Sequence, residues 1–165
     1  MPLSKERQPV TLSSRLQEDL TAAIRAHDEL RRDTLRMAIA AVYNAGKAAR
    51  RDLTDDEVIA VLTREVKTRN ESIVAYEAGG RPDAAAKERA EIEIIRGYLP
   101  EQLDPAELER LVREAVDESG ATSARDMGKV MAALMPRVRG RADGKQVSAL
   151  VAQELARRDL AGHGH

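Results

Sequence analysis

The 165-residue chain predicts an all-α protein, an N-terminal helical domain of about four helices followed by a small C-terminal domain of three. Composition is the first reason. There is no Phe, no Trp and only three Tyr; sheets draw on aromatic and β-branched residues, whereas this chain favours Ala, Leu, Arg and Glu, which suit helices. The second is spacing: apolar residues recur every three or four positions, and no stretch alternates apolar with polar. The third is punctuation, because Pro and Gly fall between the periodic stretches.

Residues 1–12, with Pro2 and Pro9, are expected to form a flexible arm. The first helix is predicted from about Ser13 to His27, on Leu16, Leu20, Ala23 and Ile24. Asp28 is the expected N-cap of the second, whose face carries Leu35, Ala38, Ile39, Val42 and Tyr43, and Gly46 weakens its end. Thr54-Asp55-Asp56-Glu57 reads as a capping box opening a third helix, with Ile59, Leu62, Val66, Arg69, Ile73 and Tyr76 on one stripe. Gly79-Gly80 stops it. Pro82 suits the first turn of a fourth, which ends on Ile92, Ile95, Tyr98 and Leu99. Leu99 precedes Pro100, which disfavours helix there and sets the boundary between domains 13–99 and 100–160. Asp104-Pro105-Ala106-Glu107 opens a fifth helix, on Leu108, Leu111, Val112, Ala115 and Val116, that ends at Gly120. A sixth follows Ser123, with Met127, Val130, Met131, Leu134 and Met135, until Pro136. Asp143 caps a seventh, with Val147, Leu150, Val151 and Leu155. Residues 161–165 are expected to be a disordered tail. Tyr43, Tyr76 and Tyr98 are expected as core contacts with polar tips at the edge.

Zero cysteine excludes disulfides, thiolate catalysis and cysteine metal sites. The polar start and the lack of a long apolar run predict a cytoplasmic protein with no membrane contact. Net charge is −1, yet it is unevenly spread. Residues 1–99 are balanced, 100–119 hold two bases and seven acids, and 120–150 hold six bases and two acids.

The basic island holds the candidate chemistry. Gly140-Arg141-Ala142-Asp143-Gly144-Lys145 superficially evokes a phosphate loop, but it has three residues between its glycines, Gln146 after Lys145 and no preceding strand. Arg125, Lys129, Arg137, Arg139, Arg141 and Lys145 nevertheless gather around a loop that feeds a helix N-terminus, which favours anions. Phosphate-backbone binding needs little more than positive charge. Gly140 and Gly144 would let the backbone approach closely. The bland alternative is a solvated loop. No aromatic interleaves the cluster, so base stacking is not expected. Met127, Met131 and Met135 read as core rather than a partner groove. Glu65, Glu88 and Glu91 lack the His partners of a di-metal bundle, and a lone His27 builds no triad, so no catalytic, cofactor or metal residue is assigned. Arg69 on an apolar stripe, one turn after Glu65, implies either a buried ion pair or a snorkelling side chain.

The blocks Leu35-Arg36-Met37, Glu57-Val58-Ile59, Arg69-Asn70-Glu71-Ser72-Ile73, Glu91-Ile92-Glu93, Tyr98-Leu99-Pro100 and Asp126-Met127-Gly128-Lys129-Val130-Met131, with Leu134 through Ser148, stand in order along the chain. Together they resemble the YqeY-like family, also called GatB/YqeY domain proteins, over residues 12 to 157. The resemblance implies two helical domains, the smaller similar to the tail of the B subunit of the aspartyl/glutamyl-tRNA amidotransferase, which touches tRNA outside the active site. It also carries the term carbon–nitrogen ligase with glutamine as amido donor. These 165 residues hold no counterpart of that subunit's catalytic domain, so the term is expected to be inherited rather than enacted. The expectation is a tRNA-binding accessory protein, with tRNA or other structured RNA as partner, and an amidotransferase subunit or aminoacyl-tRNA synthetase as protein partner. The rival reading is a protein-docking module that never touches RNA.

Overall fold

The computed structural model describes residues 9–164. Among them are seven α-helices, one 3-10 turn and no strand: α1 (Leu12–Arg25), α2 (Glu29–Ala49), α3 (Asp55–Ala78), α4 (Pro82–Arg96), α5 (Pro105–Ser119), the 3-10 turn Ala124–Asp126, α6 (Met127–Val138) and α7 (Gly144–Gly162). The chain divides into two compact units, with the division between Leu99 and Pro100.

In the first unit, helix starts follow local side-chain chemistry. Thr11 caps α1 by accepting from the Ser14 N–H, and the Ser14 hydroxyl accepts from the Thr11 N–H in return. The helix therefore begins at Leu12, whose N–H donates to the Asp55 carboxylate at 3.0 Å, and the expected arm of 1–12 is shorter at this end. Residues 1–8 of that arm lie outside the described residues. Asp28 and Thr54 cap α2 and α3. The box at Thr54 does not close, because both oxygens of Glu57 are taken by Arg51 at 3.0 Å. The core joins Leu16, Leu35, Val58, Leu62 and Ile95 with Tyr98, and a smaller cluster of Ile73, Ala85 and Ile92 lies between α3 and α4.

Arg69 is 4% exposed. Its Nη1 donates to Glu65 Oε2 at 2.8 Å and its Nε to Glu91 Oε2 at 3.1 Å, which ties α3 to α4. Burial opposes the charge, but the two carboxylates outweigh it and hold the guanidinium above its ordinary range. The tyrosines divide. Tyr98 is buried and its hydroxyl donates to Asp19. Tyr76 is half-buried under the Arg81 guanidinium. Tyr43 is 67% exposed, which corrects its assignment to the core.

In the second unit, Asp104 and Glu107 close a reciprocal capping box with Pro105 at the first helical position. The core is Leu108, Val112, Val116, Val130, Leu134, Val147, Val151 and Leu155 with their neighbours, and the three methionines pack against it. Two expected ends are overrun. Pro136 does not stop α6, which continues to Val138. Pro136 lies on the water-facing side, so the Ala132 carbonyl it deprives of a donor meets solvent, while Val138 at 1% exposure anchors the last turn. Likewise α7 reaches Gly162, into the expected tail, because Arg158 bridges Asp117 at 2.6 Å and Glu154 at 2.9 Å. His165 lies outside the described residues.

Breaking the Arg69 ion pair from one side leaves a buried charge unmatched. Glu91→Ala is expected to lose about 3 kcal/mol in urea unfolding, and Arg69→Met with Glu91→Leu to regain most of it; equal losses in both variants would contradict this. Burial, and then the bond to Asp19, push the Tyr98 hydroxyl up to about 12. A folded value above the unfolded one of 10 means that stability is intact below pH 10 and falls as pH rises to 12. The stability advantage of the native chain over Tyr98→Phe should therefore be level below pH 10 and shrink between pH 10 and pH 12, and a constant difference would place the phenol in water.

Candidate nucleic-acid interface

The basic island is built on α6, its flanking 3-10 turn and the loop into α7. Asp126 sets the near end: its carboxylate accepts from the Thr122 N–H at 2.9 Å and the Ser123 N–H at 3.4 Å. Those two bonds, and then Lys129, hold its pKa below the usual carboxylate range. Arg125 stands exposed in the turn and Lys129 exposed in the first turn of α6. At the far end, Arg139 is exposed at the C-cap of α6, and Gly144 and Lys145 are exposed in the first turn of α7. Arg125, Lys129 and Lys145 form no ion pair among the described residues.

The other candidates are engaged within the unit. Arg137 is half-buried, with Nη2 2.7 Å from Glu114 and Nη1 3.7 Å from Glu118. That bond, with Arg110 on the other side, lowers the pKa of Glu114. Arg141 donates from Nε to the Glu101 carbonyl at 3.1 Å and from Nη1 to the Arg137 carbonyl at 3.4 Å. Gly140 is buried with φ 73°, a left-handed conformation that costs a Cβ-bearing residue about 1–2 kcal/mol. Its carbonyl accepts from Gln102 Nε2 at 2.7 Å, and the Arg141 carbonyl accepts from the Leu103 N–H at 2.8 Å. Residues 101–103 thus strap the loop from outside, and Gly140 is buried beneath them. The N-terminus of α7 already has an anion, since Asp143 accepts from the Lys145 N–H at 3.3 Å. What remains for a ligand is a row of side chains, not a backbone nest.

Sequence reasoning missed this strap and the partners of Arg137. A signal was present: seven acids in residues 100–119 directly precede six bases in 120–150, and α5 supplies Glu114, Glu118 and Asp117 to Arg137 and Arg158. The charge asymmetry is in part an internal pairing. Glu65 and Glu91, weighed above as metal ligands, both converge on Arg69.

The family model described as "Yqey-like protein" matches residues 13–155. The chain belongs to the YqeY-like family. A Pyrenophora tritici-repentis protein named "Altered inheritance of mitochondria protein 41, mitochondrial" is 32% identical to this YqeY-like chain over 139 residues, 81% of the chain and 75% of that protein. A protein of the same name from Vanderwaltozyma polyspora is 26% identical over 121 residues, 68% of the chain and 64% of its own length. In Saccharomyces cerevisiae the figures are 29% over 97 residues, 58% and 52%. The family match takes in α1 and runs to Leu155 in α7, so it spans both units and every basic residue of the island. None of the helices in the described residues is long and apolar enough to cross a membrane.

The two glycines separate by substitution. Gly140→Ala is expected to lower stability by about 1–2 kcal/mol, whereas Gly144→Ala, with open space at its Cβ and a helical position, should be neutral or slightly stabilising in thermal unfolding. Equal tolerance at both positions would contradict a structural role for Gly140.

Proposed function

We propose that this YqeY-like protein binds structured RNA, tRNA foremost, through the exposed bases along α6, as an accessory to aminoacyl-tRNA metabolism without catalysis of its own. The observation that supports the reading is the row itself. Arg125 and Lys129 stand at one end of a 12-residue helix and Arg139 and Lys145 beyond the other, so the charges are spread over about 18 Å. A phosphate backbone asks for positive charge at intervals and carries little sequence information. Residues 120–150 hold no aromatic to stack on bases, which makes the binding shape- and charge-driven. Arg137, Arg141 and Gly140 serve the scaffold in this reading rather than the RNA. An amidotransferase subunit or an aminoacyl-tRNA synthetase is the protein partner it implies. The compartment is the one in which that tRNA chemistry runs; the fungal relatives carry "mitochondrial" in their names.

Phosphate contacts by Arg125, Lys129 and Lys145 give a slope of about −2.4 for log affinity against log salt. Lys129→Gln with Lys145→Gln should flatten that slope by about 1.5 and leave the thermal midpoint unchanged. The measurement is tRNA binding across a salt series, with an acidic non-RNA polymer as control. An unchanged slope would remove the α6 row from the interface, and equal binding of the control polymer would remove tRNA.

A further inference from the structure

The first unit carries an open groove of about 1170 Å³ along α1, α2 and the connection to α3. Its floor is aliphatic, made by the half-buried Leu20, Ile39, Val42 and Leu53. Tyr43 stands over that floor at 67% exposure, in a chain with only three aromatic residues. A contiguous apolar patch with a polar rim marks a surface that something covers. The rim here is cationic. Lys47 and Arg50 form no ion pair among the described residues, and Arg51 and Asp52 sit beside them, Arg51 paired with Glu57.

Arg50 adds an independent observation. It caps α2 in the left-handed region, φ 57°, where glycine would be free of strain. A cation near a helix C-terminus is favourable, but Lys47 already supplies one a turn earlier. The chain holds a strained arginine at the edge of an apolar groove, and strain retained in this way points to function.

We propose that this groove docks an amphipathic helix of a partner protein, with its apolar face on the aliphatic floor and Tyr43 and its acidic flank against Lys47 and Arg50. From Arg36 to Arg50 the groove follows α2 for about 21 Å, room for a helix of about 14 residues. The floor is branched aliphatic with a single aromatic, which suits leucine side chains better than stacked bases. Residues 1–8 carry Lys5 and Arg7 against Glu6, the wrong sign for this rim. A second copy offers no free acidic helix either, because the apolar faces of α3 and α5, its two most acidic helices, are already buried in their own cores. The surface is separate from the α6 row, so neither reading depends on the other.

The test uses the full chain and a fluorescein-labelled 18-residue peptide with Leu at i, i+3, i+4 and i+7 and Glu on both flanks, followed by anisotropy. The control peptide replaces every Glu by Lys. The Glu peptide should bind at least about tenfold tighter than the Lys peptide. Arg50→Gly should weaken it about threefold while the thermal midpoint stays level or rises, and Tyr43→Ser should weaken it about tenfold. Equal binding of the two peptides overturns the proposal, as does indifference to both substitutions. So does a uridine oligonucleotide that displaces the peptide with the same sensitivity to Arg50→Gly and Tyr43→Ser, an outcome that assigns the groove to single-stranded RNA.

Discussion

A guanidinium drawn out of water must take carboxylates with it, and that constraint sorts the bases of this chain. Arg69, at 4% exposure, holds Glu65 and Glu91 and so fixes α3 against α4. Arg137 reaches from α6 to Glu114 and Glu118 on α5, and Arg158 from α7 to Asp117 on the same helix. Each bridge joins two helices at a defined point along their lengths. Once these arginines are committed, Arg125, Lys129 and Lys145 remain exposed without ion pairs among the described residues. The basic surface that stays exposed is what the folding electrostatics leave over.

The same constraint explains what the sequence could show. Helix starts were legible because capping is local: Thr54, Asp28 and Asp104 each accept from an N–H three residues on. Ends were less so. Pro136 and the tail from residue 161 look like stops by local rules, but burial of Val138 and the Arg158 bridge carry the helices onward. The sign and place of the basic island were visible in composition. Its availability was not, because the bond between Arg137 and Glu114 spans 23 residues and the one between Gln102 and Gly140 spans 38, and spacing along one helix cannot reveal either. Arg69 was visible as an intruder on an apolar stripe, yet Glu91, 22 residues away, became its partner only through the packing of α4.

The two units carry different kinds of surface. In the second, charge stands on a helix with no aromatic nearby, a chemistry suited to a phosphate backbone. In the first, Tyr43 and an aliphatic floor sit beside Lys47 and Arg50, which form no ion pair among the described residues, a chemistry suited to a folded helix. The proposed RNA row and the proposed docking groove lie on different units, and the family match spans both. Exposed charges contribute modestly to affinity one by one, so the proposed RNA contact would be readily released.

The most direct test of the account is lysine footprinting of the full chain with an amine-reactive reagent, with and without tRNA. Protection of Lys129 and Lys145 while Lys47, Lys67 and Lys87 react as before is the predicted result, because only the first two lie on the α6 row. Uniform protection, or protection confined to residues 1–99, would contradict the claim that the second unit carries the RNA.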